Sequence, residues 1–125
     1  VIQVNIDPQL GEAEWERWVR STAALRHWTL QYHTHDSRRS PAGFPDWVFI
    51  HEEWGDIVIA ELKGHDTRVE REQLRWVNGF RDCGIDAYIW RPRHAQQVAE
   101  RFWHPSERCA PAGRLPHLTL EDVRP

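Results

Sequence analysis

Asp46, Glu61 and Lys63 are the residue types in this sequence that could do chemistry together, and their spacing decides whether they meet. Two β-rich runs, Asp46–His51 and Ile57–Leu62, flank Glu52-Glu53-Trp54-Gly55-Asp56, whose composition reads as a turn. A hairpin symmetric about Glu53 and Trp54 brings residues whose numbers sum to 107 opposite each other, and Asp46 and Glu61 satisfy that sum. Directly opposed positions share a face, with Cβ atoms about 4.5–5.5 Å apart. Lys63 lies two residues beyond Glu61, so it projects from that face too.

Two carboxylates held that close repel unless something neutralises them. A hard divalent cation does so well, because Mg²⁺ takes oxygen ligands and commonly uses one or two carboxylates plus waters and a substrate phosphate. A lysine alongside can orient an attacking water or offset charge developing on a phosphate. The plain alternative is a salt-bridged Lys–Glu–Asp cluster on a hairpin. Composition adds a hint. Of 16 basic residues 15 are arginine, and Lys63 is the single lysine. A coding bias towards Arg would leave lysine where a guanidinium cannot replace a compact ammonium.

The elements that must position these groups are legible as periodic segments. Trp15, Trp18, Val19, Thr22, Leu25 and Arg26 form one stripe at helical spacing over about Glu12 to Trp28. Leu30 and Tyr32 alternate with polar neighbours as a short strand, and His33 to Phe44 reads as a loop. Both faces of the two hairpin runs are apolar, Trp47 and Phe49 against Val48 and Ile50, and Val58 and Ala60 against Ile57 and Ile59. Strands of that kind are covered on both sides, which predicts helices packed on the sheet. Thr67-Arg68-Val69-Glu70 matches a capping box and predicts a second helix ending near Cys83-Gly84, with Val69, Trp76, Val77 and Phe80 as its buried face. Ala87-Tyr88-Ile89-Trp90 follows as a strand and His94 to Phe102 as a third helix. The order αβββαβα is an α/β layer architecture.

At 125 residues, 40% hydrophobic and 28% charged, the chain suits one domain over 1–125, with a core of about 12–102 and a loosely ordered, proline-bearing tail over 103–125. No stretch approaches the roughly 18 consecutive apolar residues of a membrane span. Val1 to Leu10 shows no signal-peptide pattern, and Cys83 and Cys109 give neither a disulfide framework nor metal-ligand spacing. A cytoplasmic protein is the expectation. A net charge of −3 argues against a protein that coats nucleic acid by bulk electrostatics, though not against an enzyme with an acidic site and a local basic rim.

Gly43-Phe44-Pro45-Asp46, a strand, and then Ala60-Glu61-Leu62-Lys63 resembles the PD-(D/E)xK nuclease signature. Asp36-Ser37-Arg38-Arg39-Ser40, Gln73 and Tyr88-Ile89-Trp90-Arg91-Pro92 extend the likeness to the small stand-alone VRR-NUC nucleases of bacteriophages, over roughly Glu12 to Phe102. The resemblance implies a restriction-endonuclease-like core, a mixed sheet flanked by helices. It also implies a Mg²⁺ or Mn²⁺ requirement and hydrolysis of DNA phosphodiesters, with flaps or Holliday junctions as candidate substrates, a homodimer, and the host cytoplasm as location. It maps Asp46 and Glu61 onto the metal carboxylates, the carbonyl of Leu62 onto a further ligand, and Lys63 onto the catalytic lysine. Glu12 is the candidate for the family's helix-one glutamate, because among Glu12, Glu14 and Glu16 it lies nearest the Trp15/Val19 stripe at 100° per residue. A rival from another class is a catalytically silent DNA-binding or assembly module. Intact Asp46, Glu61 and Lys63 argue against it.

Other residues carry weaker signals. Gln73 falls among Val69, Trp76, Val77 and Phe80, where an amide needs partners: either the sheet backbone or, as the family favours, the lysine or a phosphate. Arg38 and Arg39 are candidate phosphate contacts beside the site or plain solvated charge, and Arg91 has the same two readings. His33, His35 and Asp36 lack a clear fourth zinc ligand. Most of the eight tryptophans read as core. Trp54, at the hairpin tip, reads as a local turn contact, with a second subunit or splayed DNA as alternatives.

Overall fold

The structure is a computed structural model describing residues 3–34, 42–107, 119 and 121–122. Helix α1 (Glu12–Leu25) leads into strands β1 (Leu30–His33), β2 (Trp47–His51) and β3 (Asp56–Leu62). Helix α2 (Arg71–Asp82), strand β4 (Ala87–Trp90), a 3-10 turn (Pro92–His94) and helix α3 (Ala95–Trp103) follow. The sheet runs β1-β2-β3-β4: the first three strands are antiparallel, and α2 carries the chain over so that β4 lies parallel to β3.

The two apolar faces read from the sequence are covered by different helices. Trp47, Phe49, Val58, Ala60 and Leu62 pack with Trp15 and Val19 of α1 and Val98 and Phe102 of α3. Ile59 and Ala87 pack with Val77 of α2, flanked by Val48, Ile57 and Phe80. The stripe on α1 is buried at Trp15, Val19, Thr22 and Ala23, and its first turn carries Glu12 and Glu14, which suit the helix dipole.

Three boundaries differ from the sequence reading. Helix α1 stops at Leu25 because His27 turns left-handed (φ 68°), and the Trp28 N–H folds back onto the Ala23 carbonyl at 3.1 Å. Trp28 is thereby released into the core, where its indole N–H donates to the Phe102 carbonyl at 2.9 Å. Helix α2 starts at Arg71 with Glu70 as its cap, not at Thr67. The residue that reaches back is Gln73, whose Oε1 accepts the Glu70 N–H at 2.8 Å, so the effective box lies three residues later than Thr67–Glu70. Of that helix's expected buried face only Val77 is fully buried. Trp76 and Phe80 are half-buried under Phe44, and Val69 precedes the helix. Pro92 confines Pro92–His94 to a 3-10 turn, and α3 begins at Ala95. The segment 35–41 and most of the tail expected over 103–125 lie outside the described residues.

At the start of β3, far from Glu61, a buried ionic node ties α3 to the sheet. Arg101 makes two 2.9 Å hydrogen bonds to the Asp56 carboxylate and one of 2.8 Å to Asp86.

Candidate active site at the ends of the central strands

The observed β2–β3 register is the one expected, with Trp47 opposite Ala60 and Val48 opposite Ile59. Continued by one step, it sets Asp46 opposite Glu61. The approach to Asp46 is fixed on three sides. Gly43 has φ +91°, and a Cβ there would come within 2.5 Å of the Glu72 carbonyl carbon, so only glycine lets this loop lie on the start of α2. Pro45 is fully buried, and the Asp46 carbonyl accepts the Thr34 N–H at 2.7 Å.

Glu61 and Lys63 are 2% and 6% exposed, unusual for charged side chains, and Lys63 Nζ stands 3.9 Å from Glu61 Oε2. The Lys63 N–H donates to the Trp90 carbonyl at 3.0 Å, which fixes the lysine's backbone to β4. Burial, then a hydrogen bond with Asp46 and its nearby charge, push the Glu61 carboxyl up to about 9, and Lys63 only partly offsets them. Ionised Glu61 is thus in an unfavourable setting, and its Oε1 is buried with no hydrogen-bond partner. A proton shared with Asp46 relieves this. So would a cation.

Glu12 joins the same cluster from the first turn of α1. Its carboxyl is raised by partial burial and by Asp46 and Glu16, against the opposing pull of Lys63 and His33. What brings α1 there is Gly64, a residue the sequence reading passed over. A Cβ on Gly64 would stand 3.1 Å from the Glu12 nitrogen, and the neighbouring His65 N–H donates to the Leu10 carbonyl at 3.2 Å. The indole N–H of Trp15, one turn on, donates at 3.0 Å to the same Trp90 carbonyl that holds Lys63. The legible signal was Lys63-Gly64 directly after a strand.

The Leu62 carbonyl has a backbone reason to seek another partner. Ile59 and Lys63 both donate to the β4 side, to Asp86 and Trp90, so Leu62 in the alternating ladder faces β2. Continued two steps past the Trp47–Ala60 pair, the register sets Pro45, which has no N–H, opposite it. Two carboxylates and a carbonyl make an all-oxygen set suited to a hard cation that keeps several waters. Among the described residues no three His, Cys, Asp or Glu side chains form a metal-holding group, so a closed side-chain cage of the structural zinc type is not what this site resembles.

The remaining candidates fare differently. Gln73 is the third residue of α2, half-buried, with its oxygen engaged at the cap instead of facing a helix core. Arg91, read as a DNA contact, spends one guanidinium N–H on the Gly64 carbonyl at 2.9 Å, because β4 ends beside the exit of β3. Arg38, Arg39, His35 and Asp36 lie outside the described residues. Trp54 makes the local contact: it stacks on His51 with ring centroids 3.9 Å apart and meets the edge of Trp28.

A sheet sandwiched by helices, with an Asp/Glu/Lys cluster where its central strands end, defines a nuclease-type architecture. The VRR-NUC domain family matches residues 8–94, and the chain belongs to that family. A solved structure described as "VRR_NUC domain protein" shares the fold, with a TM-score of 0.50 at 14% identity over 75% of this chain and 88% of the other. Comparison with curated proteins gives no match. Among the described residues no helix is long and apolar enough to cross a membrane.

Proposed function

We propose that this chain is a divalent-metal-dependent DNA endonuclease that hydrolyses phosphodiester bonds. The observation that carries the reading is Glu61: a buried carboxylate with an unpartnered oxygen, facing Asp46 and beside the sole lysine. As a purely structural salt bridge, that arrangement leaves one carboxylate too many. Asp46, Glu61 and the Leu62 carbonyl would hold Mg²⁺ or Mn²⁺. Bound there, the cation would supply a more acidic water and polarise a phosphoryl oxygen.

The chain's own residues do the rest. Lys63, held by its backbone to β4, directs its ammonium at the attacking water and at the charge that grows on the phosphate. Glu12, whose carboxyl holds its proton more tightly than an ordinary glutamate because of burial and the nearby Asp46, can take or relay a proton at its edge of the site. Gln73 can offer its amide N–H₂ to a phosphate, since its oxygen is engaged. One domain carries one such site, so cutting both strands of a junction takes two copies, which is the argument for a homodimer acting on branched DNA.

Supercoiled plasmid incubated with purified protein should be nicked in Mg²⁺ or Mn²⁺ and remain intact in EDTA. Ca²⁺ should bind without supporting turnover, because it is larger and coordinates more loosely. Full cleavage in EDTA would overturn the proposal.

A further inference from the structure

Beyond the metal site, α1 carries a charge segregation that the nuclease chemistry does not use. Its acids, Glu12, Glu14 and Glu16, all lie in the first five residues, and from Arg17 to Thr34 no acidic residue occurs. That stretch holds Arg17, Arg20 and Arg26 with His27 and His33. Arg17, Arg20, Ser21 and Ala24 share the exposed face of α1, opposite buried Trp15, Val19 and Ala23. With Thr29, just before β1, and Gln31 within it, they line an open groove of about 520 Å³. The Gln31 amide ties its two sides together, donating to the Arg20 carbonyl at 3.2 Å and to the Trp28 carbonyl at 3.0 Å. Among the described residues no carboxylate pairs with Arg17 or Arg20.

Trp47 links the groove to the neighbourhood of Asp46. The Arg20 guanidinium lies 5.0 Å over the Trp47 ring, and His33 stacks on the same tryptophan with centroids 4.5 Å apart. Trp47 directly follows Asp46 in the chain. Arg20 therefore stands between Arg17 and the strand that follows Asp46.

We infer that this groove binds the phosphate backbone of the DNA strand on one side of the cleavage point, with Arg17 and Arg20 as phosphate contacts and Ser21 and Thr29 as hydroxyl donors. Eight residues of helix separate Glu12 from Arg20, about 12 Å at 1.5 Å per residue. At 3.4 Å per phosphate along one strand of a duplex, Arg20 meets a phosphate roughly three to four nucleotides from the one that is cut, and Arg17, five residues from Glu12, one roughly two nucleotides away. The inference rests on the nuclease reading for its ligand, and its test separates the two.

Binding of a fluorescein-labelled DNA duplex in Ca²⁺ is measured against salt concentration for wild type, Arg17→Ala and Arg17→Ala/Arg20→Gln, with melting curves to confirm folding. Single-turnover cleavage at saturating protein in Mg²⁺ is measured in parallel. Each lost phosphate contact should lower the slope of log affinity against log salt by about 0.9, so by about 1.8 for the double variant. The cleavage rate at saturation should hold. Arg17→Ala, which leaves the Trp47 contact intact, should lose one contact's slope even if the double variant unfolds. Unchanged affinity and slope in Arg17→Ala would overturn the groove while leaving the nuclease reading in place. Wild-type binding with the expected slope losses but no cleavage would uphold the groove and sink the nuclease reading. No binding by wild type would end both.

Discussion

Replacing Glu61 by glutamine should stabilise the metal-free protein, and only at higher pH. The folded state holds the Glu61 proton up to about 9, whereas an ordinary glutamate, as in the unfolded chain, releases it near 4.5. Between those values the native state binds one more proton than the unfolded state, so stability falls as pH rises, by about 1.4 kcal/mol per pH unit. The stabilising protonated form is fully present below the unfolded value and is lost towards the folded one. Over the whole window this amounts to about 6 kcal/mol. At pH 8 about 5 kcal/mol of this has been lost, and because Asp46 is half-buried and lets water reach the pair, about half of that, ~2.5 kcal/mol, is the working figure. For a domain of this size that is a melting shift of roughly 10 °C. Glu61→Gln keeps the shape, cannot ionise, and offers an amide donor to Asp46. Melting curves in EDTA at several pH values between 5 and 8.5 should converge for the two proteins at the acid end and separate steadily above it, with the variant higher. Parallel curves across that range would show that Glu61 is not the strained carboxylate described here.

Lys63→Arg and Lys63→Ala should each lose on the order of 10²-fold or more in single-turnover cleavage, the scale of one removed transition-state donor, with DNA binding in Ca²⁺ little changed. Wild-type-like cleavage by Lys63→Arg would make the sole lysine an accident of composition. Gly64→Ala should fold yet cleave slowly, because its Cβ at 3.1 Å from the Glu12 nitrogen displaces the first turn of α1. Retained activity would mean that Glu12 need not sit where it does. Arg101→Leu should cost about 3–5 kcal/mol in chemical denaturation by removing the guanidinium that offsets the charge of buried Asp56. A loss under 1 kcal/mol would show that Asp56 finds other partners.

The hairpin was legible in the sequence because strand alternation has a period of two and the turn fixes its centre. Those facts alone gave the Trp47–Ala60 register and the two apolar faces. Glu12, Asp46, Glu61 and Lys63 come together as the spacing and the family resemblance implied. What was not legible depends on close approach in three dimensions. Gly64 admits the start of α1 by lacking a Cβ, which no periodicity reports. Gln73 was read from the apolar residues around it in sequence, but it lies in the first turn of α2, where an unpaired N–H competes for its oxygen. The same competition moved the helix start from Thr67 to Arg71. Arg91 reads in the sequence as a phosphate contact or a solvated charge, and the bond of one of its N–H groups to the Gly64 carbonyl, set by the end of β4, has no sequence signal.

The most direct test of the account compares wild type and Glu61→Gln from parallel preparations in single-turnover DNA cleavage with Mg²⁺. The account predicts cleavage by wild type and none measurable by the variant, although the variant is the better-folded protein in metal-free buffer at the same pH. Equal cleavage by the two would contradict it, because the reaction would then owe nothing to the buried carboxylate on which the site is built.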